Sequence, residues 1–299
     1  MMRSMYSAVS GLRANQTAMD VIGNNIANVN TPAFKSSRTV FADMFYQLLA
    51  GAAGPQANVG GVNSQQVGLG VRLASIDKLM TQGALQSTGV PTDLAIQGEG
   101  FFVLGDNANP PNLTYTRLGD FKLDAQGYLV DAASGKYVLG WDGNTVPNAP
   151  TTAYPTGKIQ IVLGQSYSPP GAGGPYTFVD YSISPDGTVN GIESDGTIQP
   201  IARIALAVFP NPSGLDELGG GQYGASANSG VTGTNNPLYE VGGSGTAAGT
   251  ISSGTLEMSN VDLAQEFTDM ITTQRGFEAN AKVITTADQM LQVLTNLKQ

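Results

Sequence analysis

The sequence predicts an α+β fold, with long N- and C-terminal helices paired as a coiled-coil-like α domain and a mainly antiparallel β central domain. Apolar residues recur at alternating steps of three and four near both ends of the chain, which is the spacing of one helix face. Between the ends the apolar runs are short and separated by Gly, Asn, Asp and Pro, which favours strands and turns. Each end helix therefore finds its long partner at the other end.

The first helix is predicted from about Arg3 to Asn28. Thr31-Pro32 ends it, because proline disfavours helical backbone at the residue before it. The apolar stripe of this helix consists of Met5, Val9, Leu12, Met19, Ile22 and Ile26.

The last helix is predicted from about residue 260 to 297, a length of roughly 55 Å at 1.5 Å per residue. Ser259 or Asn260 is the expected N-cap, with Asp262 placed to meet the amides of the first turn. Two stripes run along this helix, which is too much apolar surface for a helix without a partner. The first comprises Leu263, Phe267, Met270, Phe277, Ile284, Ala287, Leu291 and Leu294, and the second Val283, Ala287, Met290, Leu294 and Leu297.

Charge also favours pairing of the two ends. Residues 1–40 have a net charge of +3, from Arg3, Arg13, Lys35 and Arg38 against Asp20. The C-terminal segment has a net charge of −3, from Glu257, Asp262, Glu266, Asp269, Glu278 and Asp288 against Arg275, Lys282 and Lys298. Opposite signs stabilise a helix pair. The alternative is an ordinary helical hairpin packed on the body of its own chain.

The middle of the chain divides into a connector and a β domain. We expect residues 1–33 plus 259–299 to form the helical domain, 34–94 an extended connector, and 95–258 a β-rich domain with a small insertion at about 142–180. Strand candidates are 101–104, 114–117, 121–123, 128–130, 137–139, 159–163, 181–184, 188–192 and 201–209. Asp-Gly pairs at 186–187 and 195–196 predict hairpin turns. Residues 211–254 are Gly-rich and predict loops.

Composition excludes most catalytic chemistry. Cysteine and histidine are both absent, so disulfides, thiolate catalysis, imidazole metal sites and histidine-based triads are excluded. The Asp residues of the middle mostly adjoin Gly or Pro, where Asp forms turns by bonding its own backbone. We therefore predict no enzyme activity and no catalytic, cofactor-binding or metal-binding residues.

The low charge of the chain bears on its partners. Charged residues make up only 12% of the sequence and the net charge is −9, so there is no basic footprint for nucleic acid or anionic lipid. No stretch is long and apolar enough to predict membrane insertion, and the first residues lack the apolar core of a secretory signal peptide. A surface of Ser, Thr, Asn, Gln and Gly suits extensive contact with other proteins.

Three separated motifs resemble a known family. The first is Asn-Asn-Ile-Ala-Asn-Val-Asn-Thr-Pro-Ala-Phe-Lys, whose signature positions are Asn24, Asn25, Ala27, Asn28, Thr31, Phe34 and Lys35. The second comprises Gln82-Gly83, residues 93–96 and Gly98-Glu99-Gly100-Phe101-Phe102, and the third runs from Ser259-Asn260-Val261-Asp262-Leu263 to Ala279-Asn280. In this order the motifs resemble the flagellar axial proteins, the rod and hook subunits.

The resemblance implies a structural subunit of the bacterial flagellar hook that self-assembles into a helical tube, joins rod to filament and transmits torque. The paired helices would line the channel and the β domain would lie outside. Core and polymer-interface residues would be Met5, Val9, Leu12, Met19, Ile22, Ile26, Leu263, Phe267, Met270, Phe277, Ile284, Met290, Leu291 and Leu294. Alternatives are a distal rod subunit of the same family and, in another class, a secreted β-rich adhesin.

The resemblance also implies partners and location. The main partner would be the homopolymer itself, with the distal rod protein, the hook-cap protein and the hook–filament junction protein as neighbours. The chain would leave the cell through the flagellar type III export apparatus without a cleaved signal peptide, and would lie in the hook and basal body on the extracellular side. No cofactor is implied.

Overall fold

A computed structural model describes residues 2–55, 60–106, 112–142, 155, 157–164, 166–167, 176–230, 238–241 and 248–297. The chain forms two compact units. The first, here called the helical unit, comprises residues 1–29, 36–79 and 261–299, and the second, the β unit, comprises 30–35 and 80–260. Much of the insertion predicted at about 142–180 lies outside the described residues.

The helical unit contains both long helices and two β ladders. Its elements are α1 (Met2–Ala27), β1 (Ser37–Asp43), β2 (Tyr46–Ala50), β3 (Gln65–Gly68), β4 (Val71–Lys78) and α2 (Leu263–Asn296). β1 pairs antiparallel with β4, and β2 pairs antiparallel with β3. Part of the stretch for which a connector is predicted is thus extended but paired with itself. Its two arms form one ladder from Ser37 opposite Lys78 to Asp43 opposite Val71, with a register shift between Val40 and Phe41.

The two helices run antiparallel in one register. Gly11 of α1 lies against Asn280 of α2, and four residues further along α1 the side chain of Asn15 lies against Gly276, four residues back along α2. Ten residues further still, Asn25 bonds Glu266, again ten residues back. Each advance along α1 is matched by an equal retreat along α2, so the two helices keep one antiparallel register from Gly11 to Asn25. The pairing predicted from the two periodic ends is confirmed.

The start of α2 differs from the prediction. Asp262, and neither Ser259 nor Asn260, is the N-cap, with its carboxylate accepting hydrogen bonds from the amides of Ala264 (2.9 Å) and Gln265 (3.4 Å). The carboxylate satisfies two amides that lack a partner in the first turn and also meets the positive end of the helix dipole. The predicted role of Asp262 towards these amides is therefore correct, and the predicted cap is wrong.

The β unit is built from short antiparallel strands. They are β5 (Leu85–Ser87), β6 (Leu94–Gln97), β7 (Phe101–Gly105), β8 (Thr114–Thr116), β9 (Phe121–Leu123), β10 (Leu129–Asp131), β11 (Tyr137–Asp142), β12 (Gly157–Lys158), β13 (Ser166–Tyr167), β14 (Tyr176–Ile183), β15 (Thr188–Glu193), β16 (Ile198–Val208), β17 (Asp216–Gly219), β18 (Gln222–Gly224), β19 (Leu238–Val241), β20 (Thr250–Ser253) and β21 (Thr255–Glu257). A 3₁₀ turn spans Pro212–Gly214. The largest sheet has the order β13-β14-β15-β16-β11-β7-β8-β18-β17.

Strand β7 lies at the centre of the core and is covered on both faces. Phe102 and Leu104 pack into one apolar cluster, and Phe101 and Val103 pack into a second cluster on the opposite face. Successive side chains of a strand point to opposite faces, so a strand buried on both faces has a continuous apolar run. The strand predicted at 101–104 is confirmed, and both of its Phe residues lie in the core.

Two predictions for the β unit are wrong. Residues 159–163 form no strand, although Ile159 and Ile161 are buried in the core; only Gln160 makes a bridge, to Tyr128. The region 211–254 contains β17, β18, β19 and β20 where loops are predicted. These strands are only three or four residues long, too short to show the apolar alternation that would reveal them.

The close helix contact at Gly11 can be tested with two alanine variants. A Cβ added at Gly11 would lie 2.6 Å from Nδ2 of Asn280, whereas one added at Gly23 of the same helix would meet nothing within 4 Å. We expect Gly23→Ala to raise the stability of the helical unit by about 1 kcal/mol through helix propensity. Gly11→Ala should lose that gain and destabilise the unit. Thermal unfolding followed by far-UV circular dichroism measures both, and equal stabilisation by the two variants would contradict the close contact.

Candidate assembly site

Small residues fill the buried side of α1. Its buried positions are Ala8, Gly11, Ala14, Ala18, Ile22 and Asn25. In α2, Ala287 is the buried residue among those that the structure describes. Small side chains let two helix backbones approach closely, and the large apolar side chains then remain on the outside.

The structure therefore separates the residues predicted from the apolar stripes. Ile22 is buried, whereas Met5, Leu12, Met19, Ile26, Met270, Ile284 and Leu291 are half-buried. Val9, Leu263, Phe267, Phe277, Met290 and Leu294 are exposed; the exposed fraction is 50% for Phe267 and 51% for Leu294. The interpretation of these stripes as the seam between the paired helices needs correction. Gly11, Asn15 and Asn25 of α1 make the contacts with α2 that the structure specifies, and hydrophobicity alone does not reveal them.

Asn25 connects three elements of the helical unit. Its Nδ2 donates to the carbonyl oxygen of Ser37 (2.8 Å) and to Oε1 of Glu266 (2.9 Å), while its Oδ1 accepts from the amide of Ser37 (3.0 Å). The residue is 1% exposed. A buried amide that is satisfied in this way fixes the relative positions of α1, β1 and α2. Burial raises the pKa of Glu266, against the opposing hydrogen bond from Asn25.

The other signature residues have varied roles. Asn28 donates from Nδ2 to the carbonyl and side-chain oxygens of Asn24, both at 2.9 Å, at the end of α1. Ala27 and Thr31 are exposed, and Phe34 is half-buried. Between Thr31 and Phe34 the chain turns through Ala33, which is buried and has a φ of 57°. A left-handed residue with a side chain is uncommon and allows a sharp change of direction.

Lys35 belongs to a buried ionic cluster in the β unit. Its ammonium lies 2.6 Å from Oε1 of Glu257 and donates to the carbonyl of Thr81 (2.8 Å). The guanidinium of Arg117 lies 3.5 Å from Oε2 of Glu257, and the amide of Gly83 donates to Oε1 (2.8 Å). The side chains of Lys35, Glu257 and Arg117 are 1%, 0% and 6% exposed. Burial lowers the pKa of Lys35, although Glu257 opposes that shift.

Arg117 explains the Gly-Glu-Gly-Phe-Phe motif. Its guanidinium donates from Nε to the carbonyl of Gly100 (3.0 Å) and also to the carbonyl of Gly98. Both glycines have a positive φ, 116° for Gly98 and 127° for Gly100, which turns their carbonyls towards the guanidinium at little cost. The guanidinium also lies 5.5 Å from the ring centre of Phe101. The motif is thus a binding site for an arginine of the same chain.

The ionic cluster gathers the segments of the β unit that adjoin the helical unit in sequence. The amide of Ala33 donates to the carbonyl of Glu257 (2.8 Å). Asn260 donates from Nδ2 to the carbonyl (3.2 Å) and the hydroxyl (2.9 Å) of Thr81, and from its amide to the carbonyl of Phe34 (3.4 Å). Segments 30–35, 80–83 and 257–260, far apart in sequence, are therefore fastened to each other within the β unit.

Three segments of the chain match family models of flagellar proteins. Residues 5–35 match the family described as flagella basal body rod protein, residues 95–191 the flagellar hook protein FlgE/F/G D1 domain, and residues 252–297 the flagellar basal body rod FlgEFG protein C-terminal family. The flagellar basal-body rod protein FlgG of Bacillus subtilis is 43% identical over 301 residues, covering all of both chains. The chain belongs to the flagellar rod and hook axial protein family.

Hook proteins are also among the relatives of this axial protein. The flagellar hook protein FlgE of Borreliella burgdorferi is 32% identical over 451 residues, covering all of both chains. A crystal structure of Helicobacter pylori flagellar hook protein FlgE2 matches 66% of this chain and 47% of that chain at 19% identity, with a TM-score of 0.23. The family is a structural one, and its known members lie in the basal body and hook.

The helical unit of the axial protein presents further apolar surface at the β2–β3 hairpin. Phe45 is 84% exposed, and Tyr46, Leu48 and Leu49 are each 57% exposed. Together with the outer sides of α1 and α2, this hairpin gives the unit much more exposed apolar surface than the scattered single residues that are usual on a soluble monomer. These surfaces are the candidate assembly site.

The part of the chain that the structure describes shows neither a metal site nor a membrane-spanning helix. It contains no group of three or more acidic residues placed to hold a metal ion. None of the described helices is long and apolar enough to cross a membrane.

The sequence analysis did not predict the ionic cluster or the small buried residues of α1. The Lys35–Glu257–Arg117 cluster joins positions up to 222 residues apart, and no local pattern marks Glu257 or Arg117. The small residues of α1 do leave a signal, because Ala8, Gly11, Ala14 and Ala18 recur at helical spacing. An analysis of small residues in addition to large apolar ones would have found the seam.

The ionic cluster predicts a large effect of removing Glu257. Glu257→Gln leaves Lys35 and Arg117 buried without a negative partner, which should cost about 3–5 kcal/mol. Urea unfolding of the β unit, followed by fluorescence of Trp141, the single tryptophan of the chain, measures the loss. Asp120→Asn is the control, because Asp120 pairs with Lys122 at an exposed position and should change stability little. Equal effects of the two variants would contradict the structural role of the cluster.

Glu266 predicts a pH-dependent gain in stability. Its pKa is raised in the folded protein, so the folded state carries a cost at neutral pH that a neutral residue avoids. Glu266→Gln keeps an oxygen for Asn25 and should be more stable than the parent at pH 7. The advantage should shrink as the pH falls through the raised pKa and vanish below the ordinary value of 4.5, where Glu266 is neutral in both states. Urea unfolding at several pH values, with Glu278→Gln as an exposed control, tests this sign.

Proposed function

We propose that this axial protein is a subunit of a helical tube, held together by the outer apolar sides of its two end helices and by the β2–β3 hairpin. The exposure of Phe267, Met290, Val293, Leu294 and Leu297 carries the proposal. Burying one such side chain contributes about 1.5–3 kcal/mol, so a stripe of them strongly favours association. In this proposal one surface of a copy meets a different surface of the next copy, which is a heterologous contact, and contacts of this kind build a helix unless they close into a ring.

The subunit is, in this proposal, one of the distal rod, and a hook subunit is the second candidate. The rod relative aligns over 301 residues, close to the length of this chain, whereas the hook relative aligns over 451. The chain has 299 residues and therefore lacks about 150 of the 451 positions of the alignment with that hook protein. This reverses the preference for hook that the terminal motifs suggest. The adhesin alternative finds no support in these relatives.

The neighbours and the route of the chain form part of the same proposal. The tube would contact other rod and hook components at its ends, among them the hook-cap and hook–filament junction proteins, and the chain would reach it through the flagellar export apparatus. Assembly outside the cytoplasm suits a subunit whose apolar helix sides are covered only by other copies.

Electron microscopy of concentrated, purified protein tests the proposal. The full chain should form tubes, and a deletion lacking residues 1–33 and 259–299 should not. Straight tubes support the rod subunit and curved tubes the hook subunit. A full-length chain that remains monomeric under all conditions would contradict both.

A charged substitution on the outer side of α2 gives a sharper test. Leu294 is 51% exposed, so Leu294→Glu should leave the monomer folded. In the tube it would bury an unpaired charge at a cost of several kcal/mol and prevent assembly. Leu294→Met, similar in size and polarity, should assemble normally. Sedimentation assays give the assembled fraction, and circular dichroism verifies the fold. Ile284→Glu, half-buried on the inner side, should in contrast destabilise the monomer itself.

A further inference from the structure

The helical unit contains an apolar groove on the side of α1 that faces away from α2. Tyr6, Val9, Ala14, Met44 and Leu73 supply its apolar lining, and its volume is about 520 Å³. Tyr6 is 68% exposed and Val9 37%, so the described residues leave much of the lining uncovered. The hydroxyl of Ser10 accepts from the amide of Val71 (3.3 Å) and helps to hold β4 beside the helix.

Two arginines give the groove a positive charge. Arg13 and Arg72 both line it, and both are exposed. Within the part of the chain that the structure describes, neither has a carboxylate within salt-bridge distance. An occupant with an apolar face and a carboxylate would therefore satisfy both features of the groove.

Helix α2 carries such a face. Leu263, Phe267 and Ile271 follow each other at steps of four, and Glu278 lies seven residues beyond Ile271, on the same side of the helix. These three apolar residues are 39%, 50% and 51% exposed. Glu278 is exposed and, among the described residues, has no cation within salt-bridge distance.

The groove and this face cannot meet within one copy. Gly11, Asn15 and Asn25 mark the side of α1 that contacts α2. At 3.6 residues per turn, Tyr6, Arg13 and Thr17 lie more than a quarter-turn away from that side, and most of them lie nearly opposite to it. Phe267 and Glu278 likewise lie about a third of a turn from Glu266, which faces α1. A second copy of the chain is the molecule that can bring the two surfaces together.

We propose that the groove of one copy binds the Phe267–Ile271–Glu278 face of α2 from a neighbouring copy. The apolar side chains fill the groove, and the carboxylate of Glu278 pairs with Arg13 and Arg72. The two surfaces have the same length along their helices. From Tyr6 to Thr17 on α1 and from Phe267 to Glu278 on α2 there are eleven residue steps each, roughly 16 Å of helix. This inference rests on the proposed function and specifies one contact between copies of the tube.

Disulfide trapping tests the contact directly, because the chain has no cysteine of its own. Val9→Cys and Ile271→Cys are made as separate proteins, mixed, assembled and oxidised, and the crosslinked dimer is measured on a denaturing gel. We expect a strong heterodimer band. Met290→Cys is the matched control, because Met290 is equally exposed but lies on another side of α2. Equal or better crosslinking of Val9→Cys with Met290→Cys would overturn the proposal.

Charge exchange tests the ionic part of the contact. Arg13→Glu/Arg72→Glu and Glu278→Arg should each raise the critical concentration for assembly at least tenfold. The triple variant, with all three changes, should recover assembly to within about threefold of the parent, because the charges are then complementary again. Arg38→Glu, the same type of substitution at an arginine outside the groove, is the control. Failure of the triple variant to recover would overturn the charge pairing.

The two proposals fail in distinguishable ways. Absence of tubes from the parent protein contradicts the tube subunit itself. Tubes from the parent without the Val9–Ile271 crosslink contradict this contact alone.

Discussion

The buried carboxylate of Glu257 is the interaction on which the construction of the β unit depends. Two cations and a backbone amide surround it, and together they fasten segments that are far apart in sequence. Removing charges from water is costly, and apolar replacements of buried ion pairs are often equally stable or more stable. The geometry of the cluster determines which cations and which segments meet at Glu257. Glu257 is the one carboxylate of this cluster, so Lys35 and Arg117 are both paired only when both lie against it.

The helix pair divides its apolar surface between two purposes. Gly11, Asn15 and Asn25 of α1 contact α2, and most of the larger apolar side chains are half-buried or exposed. A pair held by small residues is close and well defined, but it buries little apolar area compared with a seam of Leu and Ile. Many of the large apolar side chains of the two helices therefore stay exposed in the single chain.

The sequence predicts the two helices well because thirty residues of regular spacing leave few alternatives. It also predicts the central strand β7, whose four apolar residues have to be buried on both faces. It does not predict which face of α1 meets α2, since hydrophobicity ranks Val9 above Gly11 although Gly11 is the residue in the contact. The ionic cluster is out of reach for a different reason. Its partners are chosen by the completed fold, and nothing next to Glu257 in the sequence distinguishes it from a surface glutamate.

The interleaving of the two units has a consequence for the order of folding. The helical unit needs residues from the first, second and last parts of the chain, and the β unit lies between them in sequence. A ribosome that has made 260 residues has supplied the whole β unit and the strands β1 and β4 that contact α1, but not α2. Contacts between residues so far apart in sequence form slowly. Until α2 is synthesised, the side of α1 that carries Gly11, Asn15 and Asn25 lacks the helix that covers it in the finished chain.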